Sequence, residues 1–272
     1  MAKSIILMRK IKVAIYSSVV YLMASFGVIA EDWISLPAGE FVMGDVAGDD
    51  NEVLVSKKVA AFDLMKYEVT NDAFDSFVKK TGYITDVERG GRAFVWTRRW
   101  GQDPLANYRQ PRGKQTSIEG LGMHPVTQVS ARDAQAFCMY HGARLPTEAE
   151  WEFAARGTDG RRYPWGNTKP DQSKSEHFAN YGTDKCCAPT DADGFSFTAP
   201  VGSYPLGASP FGVEDMAGNV WEWTSSLFPG EPDEQVIRGG GWGNNNYCLR
   251  VSYRHGNPPD IGLDMVGFRC AR

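Results

Sequence analysis

From Gly157 to Arg272, well over a hundred residues, helical and strand periodicity largely disappears. Backbone ladders alone cannot hold so long an irregular segment, so buried rings, disulfides or metal ions must give it shape. The sequence supplies all three: 12% aromatic residues, five cysteines, and acids set beside glycines. Gly 29 and Pro 15 imply many turns between those anchors. No repeat, low-complexity tract or Pro/Ser-rich linker divides the chain, so one domain is expected over residues 31–272.

Before that segment three short helices are legible. Thr70 caps a stretch with Phe74, Phe77 and Val78 on one face, ended by Gly82. Ser130 and Asp133 form a capping box ahead of Ala134, Phe137 and Cys138, and Gly142 stops that helix. Thr147 and Glu150 form a second box, with Trp151, Ala154 and Ala155 inward and Gly157 at the end. Gly39 to Gly44 alternates as a strand.

Residues 1–30 read as a signal peptide. Lys3, Arg9, Lys10 and Lys12 precede an apolar run from Val13 to Ala30, which ends in residues suited to cleavage before Glu31. The run is a little long for a signal core, but Ser17, Ser18 and Ser25 interrupt it, which favours cleavage over a retained anchor. The expected location is the periplasm or the exterior, without stable membrane insertion. Removing the four bases of residues 1–30, which carry no acid, takes the net charge from −4 to −8. A chain that acidic lacks the basic surface that nucleic acid requires. Residues 84–120 do interleave Arg89, Arg92, Arg98, Arg99, Arg109 and Arg112 with Trp96, Trp100 and Tyr108. In an acidic exported protein this is a loop beside a groove, able to meet an anionic ligand.

Five cysteines in an exported chain favour disulfides, and the odd count leaves at least one thiol unpaired in the monomer. His124, His141, His177 and His255 form no spaced metal motif.

The blocks GEFVMG (39–44), YEVTN (67–71), HPVTQVSARDAQAFC (124–138), ARLPTEAEWEFAARG (143–157), YPWGN (163–167), TAPVGSYP (198–205), FGVEDMAGNVWEWT (211–224), RGGGW (238–242) and GFRCAR (267–272) follow one another in order. That ordered set closely resembles the formylglycine-generating enzyme (sulfatase-modifying factor) family across nearly the whole mature chain. The resemblance implies an α+β, C-type-lectin-like fold with little regular secondary structure. It also implies two calcium sites, one matching Asn180, Tyr181, Asp193 and Phe195, the other Asp215, Gly218, Val220 and Glu222. The chemistry agrees, because Ca²⁺ takes six to eight hard oxygens from carboxylates, amides and carbonyls. Cys138 and Cys270 match a family disulfide. Cys248 then pairs with Cys186 or Cys187, or else is a reactive thiol with its pKa lowered by Arg250 and Arg254.

Family members that convert a protein cysteine to formylglycine with O₂ hold Cu(I) between two cysteines after R-G-G-S. Here the segment runs Arg238 to Arg250, and only Cys248 matches, with a one-residue gap. The first cysteine is replaced by Gly243 or Asn244 and the serine by Gly241. Copper is therefore implied only in part, since Cu(I) prefers paired thiolates. The segment also resembles broader members with a W-x-N-N-rich loop. Two functions follow. One is oxidative modification of a protein or peptide substrate through Cys248. The other is a non-catalytic binding or maturation accessory module, with Trp242, Asn244, Asn245 and Arg238 lining the ligand groove.

Overall fold

The computed structural model describes residues 32–174 and 176–272, so the expected signal peptide and its cleavage junction lie outside the described residues. The described chain opens with β1 (Trp33–Leu36), β2 (Gly39–Met43), β3 (Val55–Val59) and β4 (Phe62–Met65), followed by α1 (Asn71–Thr81). Next come β5 (Arg92–Trp96), β6 (Trp100–Gln102), α2 (Ala131–Tyr140) and α3 (Glu148–Arg156). After a long irregular stretch the chain closes with β7 (Trp221–Phe228), β8 (Glu231–Arg238), β9 (Arg254–Asn257), β10 (Ile261–Leu263) and β11 (Val266–Gly267).

The helices start where their caps put them. Thr70 accepts from the Ala73 amide, and both Ser130 with Asp133 and Thr147 with Glu150 close reciprocal boxes. Gly82 ends α1 in the left-handed region at φ 68°, which a side chain would disfavour.

The strands form two antiparallel pairs, β1–β4 and β2–β3, and two larger mixed sheets in the orders β10-β5-β6 and β11-β7-β8-β9. The last sheet adds regular structure to a C-terminal half that is otherwise irregular, as expected. That half is irregular as far as Val220, the β7–β8 hairpin then turns at Pro229-Gly230, and residues 239–253 are irregular again before β9. The first four residues of β7 are all buried, so no alternation marks the strand in sequence. Likewise residues 92–102 form a hairpin where a loop was expected.

Cys138 in α2 is bonded to Cys270 near the C-terminus, with Cα atoms 5.6 Å apart. Buried ion pairs tie remote segments together, notably Arg269 with Glu222, Arg250 with Glu52, and Arg238 with Glu152. All three arginines are fully buried, and each carries its acid from a different part of the chain. Among the described residues, no helix is long and apolar enough to cross a membrane.

Candidate functional site

The loop that leaves β8 builds the site. Gly239 and Gly240 have φ of 98° and 74°, and a side-chain carbon on Gly240 would meet the Cys248 carbonyl at 3.0 Å. Only glycine allows the chain to double back there. Asn244 then locks the turn. Its Oδ1 accepts from the Gly241 amide (3.0 Å) and Trp221 Nε1 (2.8 Å), and its Nδ2 donates to the Lys185 carbonyl (2.8 Å). Segment 182–188 lies alongside, with Gly182 N donating to Asn244 O and Ala188 N to Gly243 O.

Between these two segments and the sheet opens a pocket of about 410 Å³. Its apolar wall includes Trp100, Trp221, Met265 and Tyr253, and its rim carries Lys185 and His255. Three cysteines face it: Cys248, Cys186 and Cys187. Cys186 and Cys187 are joined to each other, and Cys248 is the free thiol, which corrects the pairing expected for Cys248.

Cys248 is not an activated thiol. Burial pushes its pKa up to about 11, outweighing the pull of Tyr253, Lys185 and Arg250. Arg250 is clamped by Glu52 at 2.7 and 2.8 Å, and Arg254 pairs with Glu148 at 3.0 Å, so neither cation is free for the sulfur. Arg250 still pulls the value down, but burial outweighs it, so the expected net lowering is not found. The Cys248 Sγ–H instead donates to the Lys185 carbonyl at 3.3 Å.

The other expected groove residues are dispersed. Asn244 shares the pocket with Cys248, but both ends of its amide are engaged. Arg238 is fully buried, donating to the Val251, Ser252 and Tyr253 carbonyls and to Glu152. Trp242 faces a second cavity of about 280 Å³ beside Phe197, Arg112 and Asp264. Asn245 lies on a different surface hollow with Asn246 and Lys169. The sequence reading missed Lys185, Met265 and Tyr253 as pocket walls, because only the folded loops bring them to Cys248. Four arginines of the 84–120 region meet acids: Arg89 with Asp86 and Arg109 with Asp75 and Glu88, near in sequence, and Arg92 with Asp260 and Arg112 with Asp264, far apart in sequence. Trp100 alone of that region joins the pocket lining.

The calcium ligand sets differ in fit. Asp193 accepts from the backbone amides of Tyr181 (2.9 Å) and Phe195 (3.3 Å), and Asn180 is buried close by. Asn180 donates through Nδ2 to the Phe197 carbonyl, while its buried Oδ1 has no partner. An orphaned hard oxygen of that kind suits a cation. In the second set, Asp215 is held at φ 57° and burial raises its pKa to about 6. Both Glu222 oxygens are taken by Arg269, with Trp151 Nε1 also donating, so that side chain is not free to ligate. Glu68 is the further acid there. It accepts from Val220 N and Asn219 Nδ2, and its pKa is raised well above normal by burial and by Asp215 and Glu222. Three buried carboxylates around Arg269 favour an added positive charge. Among the described residues, no three His, Cys, Asp or Glu side chains converge as a metal centre, so main-chain oxygens would complete either site. Copper fits poorly: with Cys186 and Cys187 joined, Cys248 is the one free thiol among the described residues, and Cu(I) needs paired thiolates.

A loop-rich α+β scaffold with a cysteine-bearing pocket after an Arg-Gly-Gly turn defines a formylglycine-generating-enzyme fold. The chain belongs to that family: the sulfatase-modifying factor enzyme 1-like domain matches residues 23–272. It is 35% identical over 279 residues to the formylglycine-generating enzyme of Mus musculus, covering 88% of this chain and 74% of that one. It is 38% identical over 270 residues to the inactive C-alpha-formylglycine-generating enzyme 2 of Mus musculus, covering 88% and 84%. The solved structure of PvdO from Pseudomonas aeruginosa superposes with a TM-score of 0.66 at 26% identity, covering 88% of this chain and 93% of that one.

Proposed function

We propose that this chain is an exported oxidoreductase that takes a segment of a protein or peptide into the Cys248 pocket and modifies it oxidatively. The observation that carries the reading is the pocket itself. At about 410 Å³ it holds a side chain with its flanking backbone, and it gathers sulfur at the end of the family's cysteine loop. Trp100, Trp221 and Met265 supply an apolar wall that excludes water, and Lys185 and His255 offer polar groups at the mouth. The formylglycine-generating relative supports chemistry on a peptide. Calcium, held by Asn180 and Asp193 with the carbonyls of Tyr181 and Phe195, and by Asp215 with the 218–220 segment, would shape the scaffold without reacting. The periplasm or the exterior is the proposed site of action.

One observation favours a second reading, a binding or maturation accessory module: Cys248 is buried and its pKa stands near 11, which suits a packed thiol better than a nucleophile. The inactive relative supports it. Incubating the protein aerobically with a sulfatase-type peptide of the form C-x-P-x-R separates the two. The oxidoreductase produces a mass loss at the peptide cysteine that Cys248→Ala abolishes. The module binds peptide without any mass change, and that result would overturn the first reading.

A further inference from the structure

The Cys186–Cys187 disulfide and the Cys248 thiol face one pocket, yet the three sulfurs differ in access. Cys186 is exposed, whereas Cys187 and Cys248 are 3% and 1% exposed and belong to the same apolar cluster. The loops that carry them are clamped. Ala188 N donates to Gly243 O, Gly182 N to Asn244 O, and Asn244 Nδ2 to the Lys185 carbonyl. The Cys248 Sγ–H donates to that same carbonyl at 3.3 Å, which sets it against the peptide unit leading into Cys186. A methyl added at Gly243 would lie 3.1 Å from Cys187 Cβ, so Cys187 presses on the loop that carries Cys248.

We propose that these cysteines form a relay in which Cys248 attacks Cys187 and frees Cys186 as the exposed, reactive thiol of the pocket. The inference rests on the pocket being the functional site, and it names Cys186 as the group that meets substrate. The step balances without an outside oxidant. The Cys186–Cys187 S–S bond breaks and a Cys187–Cys248 S–S bond forms. Cys248 gives its proton to pocket water, and the departing Cys186 sulfur takes one up. One disulfide and one thiol are present before and after.

The direction follows from solvation. A thiolate at buried Cys248 is poorly solvated, whereas the leaving sulfur of Cys186 sits in water beside Lys185, and exchange is faster when the leaving thiol is the more stable anion. The product bridge would lie inside the apolar cluster. The relay thus turns a packed thiol into an accessible one.

Native full-length chain is treated with N-ethylmaleimide, quenched in acid, digested at acid pH without reductant, and its disulfides mapped. The relay predicts maleimide on Cys186 together with a Cys187–Cys248 bridge, and a tenfold or greater drop in labelling for Cys248→Ser. Maleimide on Cys248 alone, or no native labelling with Cys186–Cys187 intact, overturns it. Cys186→Ser, an exposed change that leaves the core alone, provides the second arm. Under diamide it should lose both remaining free thiols to a Cys187–Cys248 bridge, and persistence of both thiols shows that the two sulfurs do not meet. Because connectivity is the readout, the relay stands or falls separately from peptide modification.

Discussion

Replacing Arg250 with methionine tests the forces that hold the irregular half together. The guanidinium is fully buried and forks onto Glu52 at 2.7 and 2.8 Å, and its Nε donates to the Tyr247 carbonyl at 2.9 Å. It also lies over the Tyr247 ring, 4.1 Å from the centroid. Methionine fills much of the same volume but leaves Glu52, 1% exposed, without its counter-charge. Removing one partner of a buried pair costs about 3–5 kcal/mol, because the remaining charge stays desolvated. At roughly 2–4 °C per kcal/mol for a domain of this size, the melting temperature should fall by about 6–20 °C. Urea unfolding followed by fluorescence of the tryptophans measures the change, and an unchanged m-value shows that the native state is altered locally. The double variant Glu52→Gln/Arg250→Met should recover most of the loss, since both charges leave together. A single variant within about 1 kcal/mol of the parent, or a double variant no better than the single, refutes this reasoning.

Three further outcomes are expected. Cys138→Ser/Cys270→Ser, opening a bridge with a sequence separation of 132, should lose on the order of 4–5 kcal/mol of stability in urea titration. Calcium titrated into chelator-treated protein should raise the melting temperature, and Asn180→Ala/Asp193→Asn should reduce that rise; an identical rise in the variant excludes the first ligand set. In the calcium-free protein, stability should fall as pH rises from about 4 through the raised values of Asp215 (about 6) and Asp264 (about 7). Both groups bind protons more tightly folded than unfolded, so the slope is negative, up to about 1.4 kcal/mol per pH unit per group. Urea titration across that range should show Asp264→Asn flattening its upper part.

Local rules were legible in the sequence and long-range ones were not. The caps at Thr70, Ser130 and Thr147 fix helix starts from residues three positions apart, and each helix begins there. The start of β7 is buried on both faces, so no alternation marked it. The ion pairs were invisible for a different reason: Arg269, Arg238 and Arg250 meet acids 47, 86 and 198 positions away. The site divides in the same way. Cys248 stood out through the family loop, while Lys185, Cys186 and Trp100 reach it only through loop packing. Arg250 and Arg254 were near Cys248 in sequence, yet burial and their own acids decide its pKa. Glu222 carried the calcium expectation through the family resemblance, and its engagement by Arg269 depended on the distant C-terminal segment.

Oxygen uptake is the most direct check on the pocket as a place of chemistry. With the cysteine peptide added to air-saturated protein, dissolved oxygen should fall in proportion to peptide modified, and Cys248→Ala should flatten the trace. Peptide that binds, as followed by anisotropy, while oxygen stays constant in the parent protein would contradict an oxidative role and leave a binding module.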